Sequence, residues 1–398
     1  MTVYLDYASH TPVSAAVLDA FLQTEKDYVG NPLSAHGAGY MAKQEFSRVT
    51  QSIAEMLHVK PAEIIFTSGA TEANNLAING IARGYGYKGR HILSTCLEHP
   101  SVGGVLGALQ EDGFEVELLR ILPDGTIDLG HLESAIRPDT ILVCVSSVDS
   151  EIGAIQPIAD ISTIVARHSH CHLHVDGAQA MGKLPVCMHN ASTLSFSAHK
   201  FYGLCGCGVL VKREGVVLEP LIRGGAGMSL YRSGTPALGL AVACCKALEL
   251  AVGQQDKWIE TVKRMREYLL AALGADDKSA SIAIPPLNGL DRAEKRYPLL
   301  RINSPTAGSP YILNLSVKGI KAHSFVAELD RHGVCVSVKS ACSTDNSPSR
   351  AVMAVSQDRQ NALCSWRVSF SHLTEAAELN AFMLAFDKCY KGIAGQFK

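Results

Sequence analysis

The sequence has no apolar run long enough to cross a bilayer, no low-complexity tract and no internal repeat. A membrane helix needs about 20 successive apolar residues, so no spanning segment is expected. Net charge is almost absent as well: 36 Lys and Arg against 38 Asp and Glu leave a formal −2. That field gives no reason to expect nucleic acid or an anionic membrane as partner. The opening residues, Met1-Thr2-Val3-Tyr4-Leu5-Asp6, lack the basic stretch and apolar core of a secretory signal, and the expectation is a cytoplasmic protein. Twelve cysteines are many for such a chain, yet no two stand in C-x-x-C spacing, so neither a zinc site nor any other metal centre is expected. A disulfide framework does not suit a chain of this length without a signal. Most of the cysteines read as small hydrophobes, like Cys144 in its apolar run. No G-x-G-x-x-G follows the first strand, which argues against a dinucleotide-binding dehydrogenase.

What is present is an ordinary globular balance, 47% hydrophobic and 19% charged over 398 residues, enough for a large core and two domains. Short apolar segments at 63–67, 91–94, 140–146 and 172–175 read as strands. Helical stretches at 71–83 and 100–112 alternate with them. The run 140–146 is nearly all apolar, as buried parallel strands are. The pattern predicts an α/β fold whose mostly parallel sheet is flanked by helices. Farther on, helices are expected at 236–251 and 255–273, and an irregular segment at 276–310. Strands at 311–315, 334–337 and 366–370 with helices at 322–332 and 374–390 form an α+β pattern. The division expected is a large domain of residues 15–255 and a small domain of 1–14 plus 256–398.

Three segments draw attention to chemistry. Ser68-Gly69-Ala70-Thr71-Glu72 lies where a strand ends and a helix begins. Small residues there let backbone N–H groups and the helix N-terminus face an anion; an ordinary helix cap explains the same residues. His174-Val175-Asp176-Gly177-Ala178-Gln179 puts an acid at the carboxyl end of a strand, where open α/β sheets bind ligands. A buried carboxylate there needs a cationic partner, although an Asp capping a turn also fits. In Ser195-Phe196-Ser197-Ala198-His199-Lys200, the lysine sits beside hydroxyls and a histidine. Partial burial near other cations favours the neutral amine that Schiff-base chemistry requires; a solvated surface lysine is the plain alternative.

The order and separation of these segments resemble the fold-type I pyridoxal-phosphate enzymes of aminotransferase class V, most of all the cysteine desulfurases. The resemblance runs from Val3-Tyr4-Leu5-Asp6-Tyr7 through Gly30-Asn31-Pro32 and the three segments. It continues into Arg232-Ser233-Gly234-Thr235, Ser340-Ala341-Cys342 and Trp366-Arg367-Val368-Ser369. It implies pyridoxal 5'-phosphate as cofactor, with Lys200 as the Schiff-base lysine, Asp176 facing the pyridine nitrogen and Gln179 the phenolic oxygen. It also implies His99 over the ring and Ala70, Thr71, Ser197 and His199 around the phosphate. Thr235 matches a residue supplied to the phosphate from a partner subunit, hence a homodimer. Asn31 and Arg367 stand where the substrate is held, Arg367 as a two-pronged clamp for its carboxylate.

Cys342 narrows the function, because it lies in a small, polar stretch rather than an apolar run. The resemblance makes it the nucleophile: L-cysteine is converted to L-alanine and its sulfur becomes a persulfide on Cys342, destined for a sulfur-accepting protein such as an iron–sulfur cluster scaffold. Some positions depart from the family. Asp149-Ser150-Glu151-Ile152-Gly153 replaces Asn-Asn-Glu-Ile-Gly, which puts Ser150 where an Asn contacts the phenolic oxygen. Gly224-Gly225-Ala226-Gly227-Met228 replaces a Gly-Gly-Gly-Gln-Glu run, and Lys339 stands where a glycine is usual. The alternatives are selenocysteine lyase, cysteine lyase, a class V aminotransferase, or a non-catalytic protein that keeps the fold.

Overall fold

A computed structural model describes residues 2–186, 188, 190–225, 227–274, 297–339 and 347–394. The expectation placed on Cys342 falls outside them. The chain opens with β1 (Val3–Tyr4), α1 (Ala15–Asp27) and α2 (Gly37–Met56). An alternating series follows: β2 (Ile64–Thr67), α3 (Ala70–Tyr85), β3 (His91–Ser94), α4 (Pro100–Glu111), β4 (Glu115–Leu118), α5 (Leu129–Ala135), β5 (Thr140–Ser146), α6 (Ile158–Ala166), β6 (His172–Asp176), β7 (Thr193–Ser197) and β8 (Gly208–Lys212). After α7 (Leu238–Ala272) come β9 (Leu300–Ile302), β10 (Ile312–Val317), α8 (Ala322–Arg331), β11 (Val334–Cys335), α9 (Arg350–Ser356), α10 (Arg359–Leu363), β12 (Ser365–Ser369) and α11 (Ala376–Ala394).

Seven strands form one sheet in the order β2-β8-β7-β6-β5-β3-β4. Only β8 runs against its neighbours; the others are parallel. Side chains alternate across the strands. Ile92, Leu142 and Leu210 enter a core with α3 and α4. Their neighbours Leu93, Val143, Val209 and Val211 enter another with α1, α2 and α7. Helices on both faces leave all seven residues of β5 buried, which is why that run is apolar throughout. The α/β expectation holds.

A separate core gathers around the three-stranded antiparallel sheet β12-β10-β9, with Phe325 and Leu329 of α8, Phe382 and Phe386 of α11, and Val3 and Leu5 from the amino-terminal segment. α7 joins the two cores: Leu238 to Ala251 are packed in the first, and Val262 and Leu269 in the second. Two helices were expected here, broken near residue 253. The structure runs one 35-residue helix through that point. A Cβ at Gly253 would meet nothing within 4 Å, so this glycine costs the helix only its propensity, about 1 kcal/mol, and packing on either side outweighs that. The segment expected to be irregular contains β9, which pairs with β10. No helix among the described residues is long and apolar enough to cross a membrane.

Candidate active site

The carboxyl ends of β2, β3, β5, β6 and β7 open on the same edge of the large sheet, because β2 and β7 both run against β8. This is where α/β sheets bind ligands. A cavity of 370 Å³ lies there, bordered by Ala70, Thr71, His99, Ser150, Asp176, Gln179, Ser197, His199, Lys200 and Arg367. Ten of the positions singled out in the sequence therefore meet around one space. Asn31 and Thr235 do not. Asn31 is exposed and its Oδ1 accepts from Leu33 N at 2.9 Å. Thr235 is exposed on a neighbouring 300 Å³ cavity beside Ser68 and Arg232.

One end of the cavity is made for an anion. The turn from β2 into α3 is seated by Gly208, where a Cβ would lie 2.5 Å from Gly69 Cα. Ser197 Oγ accepts from Ala70 N at 3.0 Å, which fixes the first turn of a 16-residue helix whose N–H groups face this end. The other end is acidic. Asp176 Oδ2 accepts from Asn74 Nδ2 at 2.8 Å and Oδ1 from Ala178 N at 2.9 Å. Asn74 is itself held, its Oδ1 bonding His174 Nε2 at 3.0 Å and also Ser195 Oγ. His174 Nδ1 in turn meets Thr193 Oγ1 at 2.9 Å. Burial pushes His174 down to about 4, so a string of neutral groups holds the Asp176 side chain in place. Asn74 was not singled out from the sequence. The signal was available: it stands on the core face of α3, among Ala73, Ala77 and Ile78, where a polar side chain needs a reason.

Lys200 follows β7 in a tight turn closed by Tyr202, whose φ of 68° lies in the left-handed region. Its Nζ donates to Ala8 O at 2.8 Å and Ser9 O at 2.7 Å. The amino-terminal segment is strapped across this turn: Thr11 N donates to His199 O at 3.1 Å, and Tyr202 N to Thr11 Oγ1 at 2.7 Å. Gln179 Nε2 also donates to Ala8 O, at 2.9 Å, and its Oε1 accepts from Lys183 Nζ at 3.0 Å. Lys183 thus dictates which way the amide faces. Burial, then Lys200 and Arg367, lower this lysine to about 7. His199 is pushed to about 4 by burial and by Lys200, His10 and Lys183. His99 caps α4, with Nδ1 accepting from Ser101 N at 3.1 Å, which leaves the ring proton on Nε2. Burial and Lys200 lower its basicity against the opposing pull of Asp176.

Arg367, on β12, is almost fully buried and reaches across to the large sheet. Nη1 donates to Ser150 O at 2.7 Å, while Nη2 donates to Asp6 Oδ1 at 2.8 Å and Ser9 Oγ at 2.7 Å. Its Nε has no hydrogen-bond partner among the described residues. Asp6, Ala8 and Ser9 were not singled out as site residues from the sequence; they act through two backbone carbonyls, one ion pair and the Ser9 hydroxyl. The reading of most cysteines as packed hydrophobes holds among the described residues. Of the ten described cysteines most are buried, but Cys205 is exposed. It borders the Lys200 cavity, with Sγ 3.7 Å from His10 Nδ1.

Glu98, next to His99, is buried beneath the site and bonds Thr95 Oγ1 at 2.8 Å and Ser146 Oγ at 2.6 Å. Burial lifts it from 4.5 to about 7. A raised carboxyl binds more protons folded than unfolded, so its contribution to stability is present below about pH 4.5 and lost as pH rises through 7. Glu98→Gln removes that dependence. Thermal unfolding of both proteins across this window is expected to show the variant gaining on the parent as pH rises, by about 1.4 kcal/mol for each tenfold difference in proton affinity that the substitution abolishes. Parallel curves would place Glu98 in a more solvated setting.

The aminotransferase class-V family model matches residues 3–286. The chain is 35% identical to cysteine desulfurase IscS of Dictyoglomus turgidum over 382 residues, covering 95% of this chain and 92% of that protein. Among solved structures, a NifS-like protein superposes with a TM-score of 0.86 at 29% identity, covering 98% of this chain and 99% of the other. A structure of SspA in complex with cysteine superposes at 0.76 with 29% identity, over 93% and 99% of the two chains.

Proposed function

The chain belongs to the aminotransferase class-V family and, within it, to the cysteine desulfurases, and from that premise we propose that it takes sulfur from L-cysteine on pyridoxal 5'-phosphate and passes it to a sulfur-accepting protein as a persulfide of Cys342. The observation that carries the cofactor reading is the single cavity with an anion-binding helix start at one end, Asp176 at the other, and Lys200 between them.

The residues present fit this cofactor. Its phosphate suits the α3 N-terminus with Thr71, Ser197 and His199. Asp176 keeps lone pairs free on both oxygens for a ring N–H. Gln179 retains one amide hydrogen beyond its bond to Ala8 O. Arg367 borders the cavity, and with Nη1 and Nη2 bonded to Ser150, Asp6 and Ser9 it would take a substrate carboxylate by exchanging one of those bonds. When bound, the cofactor supplies an electron sink for the pair released at the substrate α-carbon.

The chain's own groups do the rest. Lys200 provides the amine that joins the cofactor. Once displaced by the substrate's amine, it removes the α-proton. His99, neutral with its proton on Nε2, is placed to shuttle a proton beside Asp176. Arg367 would anchor the substrate across the two cores, in a cavity whose neighbour is bordered by Lys339 and Ser347. Cys342 thiolate forms an S–S bond with the substrate sulfur. The C–S electron pair stays on the β-carbon, which is protonated to the methyl group of alanine. Thr235, exposed and outside the chain's own cavity, suits the phosphate of a second subunit in a homodimer. The division near residue 255 is supported by the two separate cores that α7 connects.

The test is a side-by-side assay of the holoenzyme on L-cysteine, on L-selenocysteine, and on L-alanine with a keto acid. Alanine is expected from L-cysteine, with protein-bound persulfide and negligible transamination. Dominant transamination, or turnover of selenocysteine with cysteine inert, would replace this reading by another class V reaction.

A further inference from the structure

Glu328, His332 and Cys389 lie together on the second core, and they share no residue with the Lys200 cavity. Their ligand atoms, one carboxylate oxygen, one imidazole nitrogen and one thiol sulfur, all lie within 4.8 Å of one another. Glu328 is on α8 and His332 caps its carboxyl end, four residues on, so both fall on one helix face. Cys389 comes from α11, packed against α8. From these positions we infer that the three side chains form a binding site for a thiophilic divalent cation, best matched by zinc.

The chemistry of the donor set selects the ion. Sulfur, imidazole and carboxylate together suit zinc and neighbouring transition metals, whereas magnesium and calcium take oxygen alone. Three protein ligands leave a fourth, tetrahedral position for water. Bonds of about 2.0–2.3 Å place tetrahedral ligand atoms about 3.3–3.8 Å apart, so side-chain rotations of modest size close the site. The carboxylate is already divided between two tasks. Oε2 bonds Arg331 Nη1 at 2.6 Å, while Oε1 faces His332 Nε2 at 3.8 Å. Arg331 thereby orients Glu328 with one oxygen left for the ion, as outer partners do in metal sites. The carboxyl end of α8 adds a partial negative charge at His332.

A cysteine binds such an ion as thiolate, so the ion takes the place of the thiol proton. Bound there, the ion clips α8 to α11 over Phe325, Leu329 and Phe386. No C-x-x-C or H-x-x-x-H spacing announces the site, because its third ligand lies 57 residues beyond the second (332 to 389).

The full-length, cofactor-loaded protein is stripped of metal and then titrated with zinc and cobalt, in parallel with Cys389→Ala and His332→Gln. The parent is expected to bind one more equivalent of zinc than either variant. It should show a stronger thiolate-to-cobalt charge-transfer band than Cys389→Ala. Zinc should raise its unfolding temperature more than theirs. Comparison with the variants cancels any metal taken by other thiols. Loss of a ligand should weaken binding by more than the about ten-fold of an outer-shell change. Equal zinc stoichiometry, affinity and cobalt spectra in all three proteins overturn the inference. His332→Gln, at the exposed position, decides the matter if Cys389→Ala does not fold.

Discussion

Lys200→Ala lowers turnover of L-cysteine by about ten-thousand-fold or more, the upper range for removing a general base, and abolishes the cofactor adduct that borohydride fixes to the protein. One side chain carries both losses. On the proposed reading its amine is the covalent anchor and, after displacement, the base for the α-proton. No neighbour replaces it: His199 is held to about 4, and Lys183 is occupied with Gln179 Oε1. The fold should survive, because the substitution removes hydrogen bonds to Ala8 O and Ser9 O worth about 1 kcal/mol each. Mass spectrometry after reduction checks the adduct, circular dichroism the fold, and deuterium exchange at the substrate α-carbon the base. Exchange should vanish with turnover. An adduct found on Lys183 in the parent protein would move the anchor to the wrong lysine and undo the site as drawn.

The fold was legible where one physical signal dominated. The β5 run is apolar throughout because helices cover both of its faces, and periodicity finds such strands readily. Gly253 misled because a glycine in sequence looks like a break, while its exposed setting on a long, well-packed helix makes it tolerable. β9 was hidden in a segment rich in Pro and Gly, since three residues carry too little pattern to stand out.

The site was legible as far as side chains announce themselves by motif. Asp176, Gln179, His199 and Lys200 do so because they stand at or just past strand ends that open on one edge of the sheet, and the structure brings all four to one cavity. Asn74 and Lys183 act at one remove, by orienting Asp176 and Gln179. A residue that orients another needs only the right face of a helix or turn, which many sequences satisfy. Ala8 and Ser9 contribute carbonyl oxygens, and backbone atoms leave no trace in residue type. Thr235 and Asn31 mark the reverse case, in which the motif is plain but the chain's own cavity does not include them.

Cys342→Ala should divide the reaction where Lys200→Ala destroys all of it. Persulfide formation and sulfur transfer are expected to fall about a thousand-fold or more, the scale on which loss of a covalent nucleophile is felt, while α-proton exchange continues. The reason lies in how the work is distributed. Every group assigned to the α-carbon, from Asp176 to Arg367, belongs to the 370 Å³ cavity, and none comes from residues 340–346. The residues that flank that segment are close together, with Lys339 Nζ donating to Ser347 Oγ at 3.0 Å. Both border a second cavity of 250 Å³, which shares Leu97, His99 and Ser150 with the first. Lys339 and Ser347 thus stand together at an antechamber of the site, which is why the proposed reading puts sulfur transfer on that side. Two other thiols border these spaces, Cys96 in the antechamber and Cys205 beside Lys200. They supply the decisive control. If sulfur transfer persists in Cys342→Ala and disappears in Cys96→Ala or Cys205→Ala, the nucleophile is one of those, and only the chemistry at the α-carbon stands.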